Sequence, residues 1–134
     1  MSLLVDTSVW SLALRRDGSP GQPEVRALAD ALAGADAVVT TGLVLQELLQ
    51  GFNGPRSVAA IVERFQALPL IHPDRQDHIV AAEVRNVCRR SGVQIGTIDA
   101  LLIQVCGRHD LTLLTTDQDF VHAARYVPVK LWRP

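Results

Sequence analysis

Fourteen acidic side chains are spread over 134 residues, and four of them stand where a carboxylate could do chemistry. Asp99 opens the run Asp99-Ala-Leu-Leu-Ile, and the positions three, four and seven residues on (Leu102, Ile103, Cys106) are all apolar. If that run is a helix, those positions share a face with Asp99, and its carboxylate points toward the core, where a lone charge is costly unless paired or metal-bound. An acid in a first helical turn also favours the helix dipole, which accounts for an exposed Asp better than for one on this face. Asp6 follows the apolar run Leu3-Leu4-Val5, and Asp117 follows Leu111 to Thr115 and a second threonine. Asp is an ordinary helix cap at such strand ends, so position alone leaves a capping and a chemical reading open for both. Glu47, with Leu43, Val44, Gln50 and Gly51 one turn away, reads equally as a pocket or a surface glutamate. Gathered carboxylates suit Mg²⁺ or Mn²⁺, hard ions that take oxygen ligands, retain waters and need few protein carboxylates. Such an ion lowers the pKa of a water that attacks phosphorus and stabilises the departing oxygen. Without a cation, apposed acids repel one another.

The elements that must position these acids follow from periodicity and punctuation. Leu3-Val5 reads as a strand buried on both faces, and Asp6-Thr7-Ser8 leads into a helix to Leu14. A Gly/Pro-rich loop, Asp17 to Pro23, precedes an amphipathic helix over about 24–33. Ala37 to Thr40 is a second strand, and Leu43 to Phe52 the third helix, which carries Glu47. Pro55 opens a helix to about Ala67. Leu70-Ile71 is a brief strand, and helices follow over about 75–90 and from Thr97 to about Arg108. Leu111 to Thr115 is the next strand, Gln118 to Arg125 a short helix, and Val127 to Leu131 the last strand. Strands alternating with helices predict an α/β fold, with a mainly parallel central sheet of four to five strands flanked by helices, in one domain over residues 1–134. Since ligands bind beyond the carboxyl ends of such strands, Asp6 and Asp117 can share a rim.

Composition narrows the classes. Hydrophobic residues make up 48% and charged residues 20%, which fits a globular domain and excludes a disordered chain. The longest stretch without Asp, Glu, Lys or Arg, Ala37 to Gln46, is about half of the ~20 residues a spanning helix needs. The apolar start ends at once in Asp6, unlike a signal-peptide core, so a cytoplasmic protein is expected. Cys88 and Cys106 read as buried thiols on helices rather than a disulfide, and His72, His78, His109 and His122 have no zinc-like spacing. Net charge is −1, which by itself argues against a phosphate-bearing partner. If the four acids are neutralised by cations, however, the rest of the chain carries +3. Of the thirteen basic residues only Lys130 is a lysine; arginine's planar fork suits phosphate, though codon preference explains the bias as well.

Taken together, Asp6-Thr7-Ser8, an isolated Glu47 on the third helix, Asp99-Ala-Leu-Leu-Ile and Thr115-Thr-Asp117-Gln-Asp119-Phe resemble the PIN-domain nucleases. Within them the chain is similar to the VapC toxins of bacterial toxin–antitoxin pairs. The resemblance implies a three-layer PIN fold, Mg²⁺- or Mn²⁺-dependent cleavage of RNA, a homodimer, and inhibition by a VapB-type antitoxin. It carries the family's acidic quartet onto Asp6, Glu47, Asp99 and Asp117, an additional acid onto Asp119, and the hydroxyls that orient the carboxylates onto Thr7 or Ser8 and Thr115. On this reading Asp6, Asp99 and Asp117 contact metal, Glu47 binds metal or orients the attacking water, and Asp119 supports them from behind. Gln104-Val105 departs from the small alanines of many relatives, which bears on packing more than chemistry.

Rival families fit less well. Resemblance to a phosphoreceiver domain calls for an acid pair after the first strand, where Thr7 follows Asp6, and a haloacid-dehalogenase-type phosphatase calls for a second Asp where Ser8 stands. A PIN-like module that binds RNA or protein without cutting is the alternative, and a nuclease assay with Mn²⁺ separates it. For partners, Val9, Trp10, Leu12 and Leu14 with Leu28 and Leu32 could line an antitoxin groove or dimer seam, or pack the core. Trp10 is the candidate partner-binding residue, since an exposed aromatic marks an interface.

Overall fold

An apolar strand that buries both faces belongs in the middle of a sheet, and β1 (Ser2–Val5) lies there with Leu3, Leu4 and Val5 all buried. The computed structural model describes residues 1–15, 21–34 and 36–134. From β1 the chain continues through α1 (Thr7–Leu14), α2 (Pro23–Ala33), β2 (Ala37–Thr41), α3 (Gly42–Gly51), α4 (Pro55–Gln66) and β3 (Leu70–Ile71). It then forms α5 (Arg75–Arg90), α6 (Thr97–Arg108), β4 (Thr112–Leu114), α7 (Gln118–Ala123) and β5 (Lys130–Leu131). The five strands make one sheet in the order β3-β2-β1-β4-β5, with every pairing parallel and helices flanking it in a three-layer α/β fold. Of the loop expected over Asp17 to Pro23, residues 17–20 lie outside the described residues.

Strand order determines where a site can form. The chain steps outward from β1 to β2 and β3, then returns to lay β4 on the opposite side of β1. The reversal therefore falls between β1 and β4, which pair Leu3 with Thr112, Leu4 with Leu113 and Val5 with Leu114. The Asp6 N–H donates to the Leu114 carbonyl at 2.9 Å, carrying this seam one residue beyond the strands. A crevice at the carboxyl ends of diverging parallel strands is the usual ligand position in such sheets. The outer strands β3 and β5 are two residues each. The strand expected from Val127 begins only at Lys130, because Pro128 has no N–H for a ladder.

Local chemistry sets the helix positions. Thr41 Oγ1 accepts from the Val44 N–H at 3.3 Å and starts α3. Pro23 and Pro55 occupy first turns, and Gly92, at φ +82°, turns the chain after α5 where other residues are strained. The pair α5 and α6 is clamped by a charge network that the sequence reading did not anticipate. Asp77, 0% exposed, accepts from the Asp74 N–H at 2.9 Å and from Gln104 Nε2 at 3.3 Å. Arg108 Nη1 lies 3.3 Å from Asp77 and 2.6 Å from Asp74. Gln104 is thus a cross-helix hydrogen-bond donor as well as a packing residue.

The interface reading of Trp10 is corrected. Trp10 is 2% exposed and packs on Phe65 with ring centroids 4.9 Å apart. The cause is that α1 packs on both α2 and α3, which covers the helix face that Trp10 shares with Val9. Leu28 is buried as well, and Leu14 and Leu32 pack partly against the same core. Cys88 and Cys106 are free, buried thiols. Among the described residues no helix is long and apolar enough to cross a membrane.

Candidate active site

At the end of β1 the chain enters α1 through Asp6, whose backbone carbonyl accepts from the Val9 and Trp10 N–H groups. Its side chain makes no cap hydrogen bond. Instead Asp6 Oδ2 accepts from Ser8 Oγ at 2.8 Å and from Thr115 Oγ1 at 2.9 Å. Ser8 Oγ also accepts from the Thr116 N–H at 3.1 Å, and Thr115 Oγ1 from the Asp117 N–H at 3.0 Å. Two hydroxyls therefore tie the end of β1 to the end of β4 and hold one buried carboxylate between them.

The other three acids come from separate elements. Thr7 Oγ1 donates to Glu47 Oε1 at 2.8 Å, joining α1 to α3. Asp99, in the first turn of α6, accepts from the Gly96 N–H through Oδ2 at 3.3 Å. Asp117 is the cap of α7, with Oδ1 accepting from the Asp119 N–H at 2.9 Å. Capping thus explains one oxygen of Asp117 and one of Asp99, but no side-chain oxygen of Asp6. The Asp119 side chain is exposed and has no hydrogen bond among the described residues; its backbone N–H, rather than its carboxylate, supports Asp117.

Asp99 feels the charges of the other three acids. Burial pushes Asp99 up from the ordinary aspartate value to about 6, opposed by the Gly96 N–H and reinforced by the negative charges of Asp6, Asp117 and Glu47. Burial is the larger cause, and the three neighbouring charges add to it in the same direction. Each of the four acids commits one oxygen to the scaffold and leaves its second without a protein hydrogen-bond partner among the described residues.

The donor set consists of carboxylate and hydroxyl oxygens, with no thiol or imidazole among these contacts, which is the chemistry of hard divalent cations. Among the described residues no three acidic, histidine or cysteine groups stand close enough to hold an ion as they are. Ions that retain waters need few direct protein ligands, so such a site does not require three side chains in contact with the ion. The residues fit Mg²⁺ or Mn²⁺ on those terms.

Beside the hydroxyl relay lies a cavity of about 370 Å³, with Thr115, Thr116, Gln22, Trp132 and Arg133 in its wall. Gln22, Trp132 and Arg133 escaped the sequence reading because they sit in a loop and a terminal tail, outside any periodic pattern. The proximity of Trp132 and Arg133 to Thr115 exists only after β5 has paired with β4.

The comparisons with known proteins agree with this architecture. No curated protein matches the chain by sequence. Among solved structures, the Mycobacterium tuberculosis VapC20, described as a sarcin–ricin loop cleaving toxin, is 25% identical with a TM-score of 0.67, over 96% of this chain and 98% of that one. VapBC2 from Rickettsia felis, bound to a DNA fragment from its promoter, is 19% identical with a TM-score of 0.75, over 99% and 100%. FitAcB from Neisseria gonorrhoeae is 21% identical with a TM-score of 0.71, over 98% and 96%. The family model described as PIN domain matches residues 3–126, a span that includes Asp6, Glu47, Asp99 and Asp117, and the chain belongs to the PIN domain family.

Proposed function

We propose that this chain is a metal-dependent endoribonuclease, one PIN domain that acts as the toxin of a toxin–antitoxin pair. What supports the reading is the pair of hydroxyl hydrogen bonds that hold Asp6 where the sheet order reverses, together with the raised proton affinity of Asp99, to which the charges of Asp6, Asp117 and Glu47 contribute. Asp6, Asp99 and Asp117 would hold Mg²⁺ or Mn²⁺ through the oxygens the scaffold leaves free. The bound ion supplies an activated water and charge stabilisation for the departing oxygen. Ser8 and Thr115 fix the orientation of the Asp6 carboxylate, so that its free oxygen needs no rearrangement to bind. Thr7 holds Glu47, which would bind metal or orient the attacking water. The Asp119 N–H orients Asp117.

RNA is the substrate class favoured by the relatives, one of which is a toxin that cleaves the sarcin–ricin loop. A VapB-type antitoxin is the proposed inhibitor, because several structural neighbours were solved as VapBC or FitAB complexes. A homodimer in the cytoplasm completes the reading, and sedimentation of the purified chain tests the dimer.

The decisive assay is cleavage of RNA with added Mn²⁺. Asp6→Ala and Asp99→Asn should abolish cutting while circular dichroism stays native, and excess chelator should do the same to the wild type. Full activity in either variant or in chelator overturns the metal mechanism. RNA retained but never cut identifies a binding module instead.

A further inference from the structure

The sequence outside the acid quartet contains a second organised feature, the cavity beside Thr115 and Thr116. We propose that it is a nucleobase subsite, seating the base of a nucleotide that flanks the phosphate at the acid cluster; this rests on the ribonuclease reading above. Its volume of about 370 Å³ lies within the range of small-ligand sites. It is also contiguous with the cluster, because Thr115 belongs to the cavity wall and donates to Asp6. A strand whose phosphate lies at the carboxylates therefore has a neighbouring nucleotide at this opening.

The wall has the chemistry of base recognition. Trp132 is partly buried in it, and its backbone N–H donates to the Leu113 carbonyl at 2.9 Å, which fixes the residue beside β4. An indole face stacks any base and suits single-stranded RNA. Gln22 Oε1, in the same wall, is a buried acceptor with no hydrogen-bond partner among the described residues. Such an orphan is costly, and a turn of the half-buried Gln22 amide toward the cavity lets an N–H from a base edge satisfy it. Glu24 adds a second acceptor, while Arg133 is the one cation among the lining residues. The Glu24 carboxylate and the Gln22 oxygen favour a base edge rich in N–H groups, guanine before uracil, while Arg133, Thr116 and the Gln118 amide are donors left for the backbone. A cavity of the same volume, walled by α5, the start of α6 and Leu43 of α3, has no Phe, Tyr or Trp and offers only His78 and Arg85 for stacking.

The test exploits the chain having two tryptophans, of which Trp10 is buried in the core. With the Asp99→Asn protein, which leaves RNA uncut, titration with short single-stranded oligoribonucleotides should quench tryptophan fluorescence. A guanine-containing oligonucleotide should bind more tightly than an all-uridine one. Adding Trp132→Phe should remove the quench, and adding Trp132→Ala should weaken binding about tenfold, the scale of one base–aromatic stack. In the active protein, Trp132→Ala and Gln22→Met should raise KM more than they lower kcat and should change the base found at mapped RNA ends. Gln22→Met guards against a packing defect at Trp132. Unchanged KM, affinity and end map in both variants overturn the subsite and leave the nuclease reading intact. Quenching by RNA in a wild-type protein that cuts nothing with Mn²⁺ supports the subsite and overturns the nuclease reading. A quench produced only by an antitoxin peptide, and not by RNA, makes the cavity a protein-binding site and overturns the proposal.

Discussion

Replacing Asp99 by Asn should make the metal-free protein more stable at neutral pH, although it removes a residue placed at the centre of the chemistry. In the absence of cation, burial and the charges of Asp6, Asp117 and Glu47 raise Asp99 from 3.8 to about 6. A rise of about two pKa units corresponds to a penalty of roughly 3 kcal/mol for the ionised form. The side chain is only partly buried, and solvent screening reduces this to about 1–2 kcal/mol. An asparagine keeps an acceptor for the Gly96 N–H but carries no charge. The sign follows from proton linkage: the folded wild type binds this proton more tightly than the unfolded chain. The stability it confers is complete below about pH 4 and is lost as pH rises through about 6. The variant has no such loss. Its advantage in Tm should therefore be near zero at about pH 4 and full at about pH 7.5, where about 1–2 kcal/mol amounts to roughly 3–8 °C for a domain of this size. Differential scanning fluorimetry in chelator measures this directly. Added Mn²⁺ should reverse the order, since the cation stabilises only a folded state that binds it. A variant less stable than wild type in chelator at neutral pH refutes the reasoning, as does a difference that does not change with pH. Either result would mean that burial and the neighbouring acids together do not raise the proton affinity of Asp99.

Thr115→Val removes the hydroxyl that donates to Asp6 and accepts from the Asp117 N–H, so about 1–3 kcal/mol of stability should be lost. Cleavage should fall with it, and a variant with wild-type melting and activity would remove Thr115 from the relay. Arg108→Met should destabilise the chain by about 2 kcal/mol, because it strips the cation from the buried Asp77. Asp99 stands nine residues away, roughly 13 Å along α6, so cleavage by the folded fraction should be unchanged; a kcat effect would tie the clamp to the site. Cys88 and Cys106 are buried, and burial pushes the Cys106 thiol up to about 12. A thiol reagent should therefore modify neither in the native protein and both in denaturant.

The sequence made the parallel architecture legible wherever one strong local signal decided an element. Leu3-Leu4-Val5 is apolar throughout because β1 is covered on both faces, and Pro23 and Pro55 mark helix starts for reasons internal to the backbone. Legibility ended where a position depends on a partner distant in sequence. Nothing adjacent to Trp10 reveals that Phe65 lies against it, so its size read as an interface signal. Asp77 carries an exposed-looking pattern, His78 and Ile79 being exposed beside it, yet it is buried because Gln104 and Arg108 reach it from the next helix. In the candidate site the order of reliability was similar. Asp99 could be argued from its own helix face, whereas the link from Thr7 to Glu47 spans 40 residues and that from Thr115 to Asp6 spans 109.

The structure also dissolves the opposition between a capping acid and a chemical one. Asp117 is a helix cap and Asp99 closes a first turn, which by sequence reasoning alone counts against a site. Yet a carboxylate has two oxygens with several lone pairs between them, and a cap needs only one. Fixing one oxygen through the backbone removes the rotational freedom that a flexible acid would lose on binding metal, while the other oxygen stays open. Asp6 and Glu47 reach the same condition by hydroxyls instead of backbone N–H groups. Hydrogen bonding of each acid to its own scaffold orders one oxygen before any cation arrives, and on the proposed reading that is what prepares the other oxygen for the chemistry.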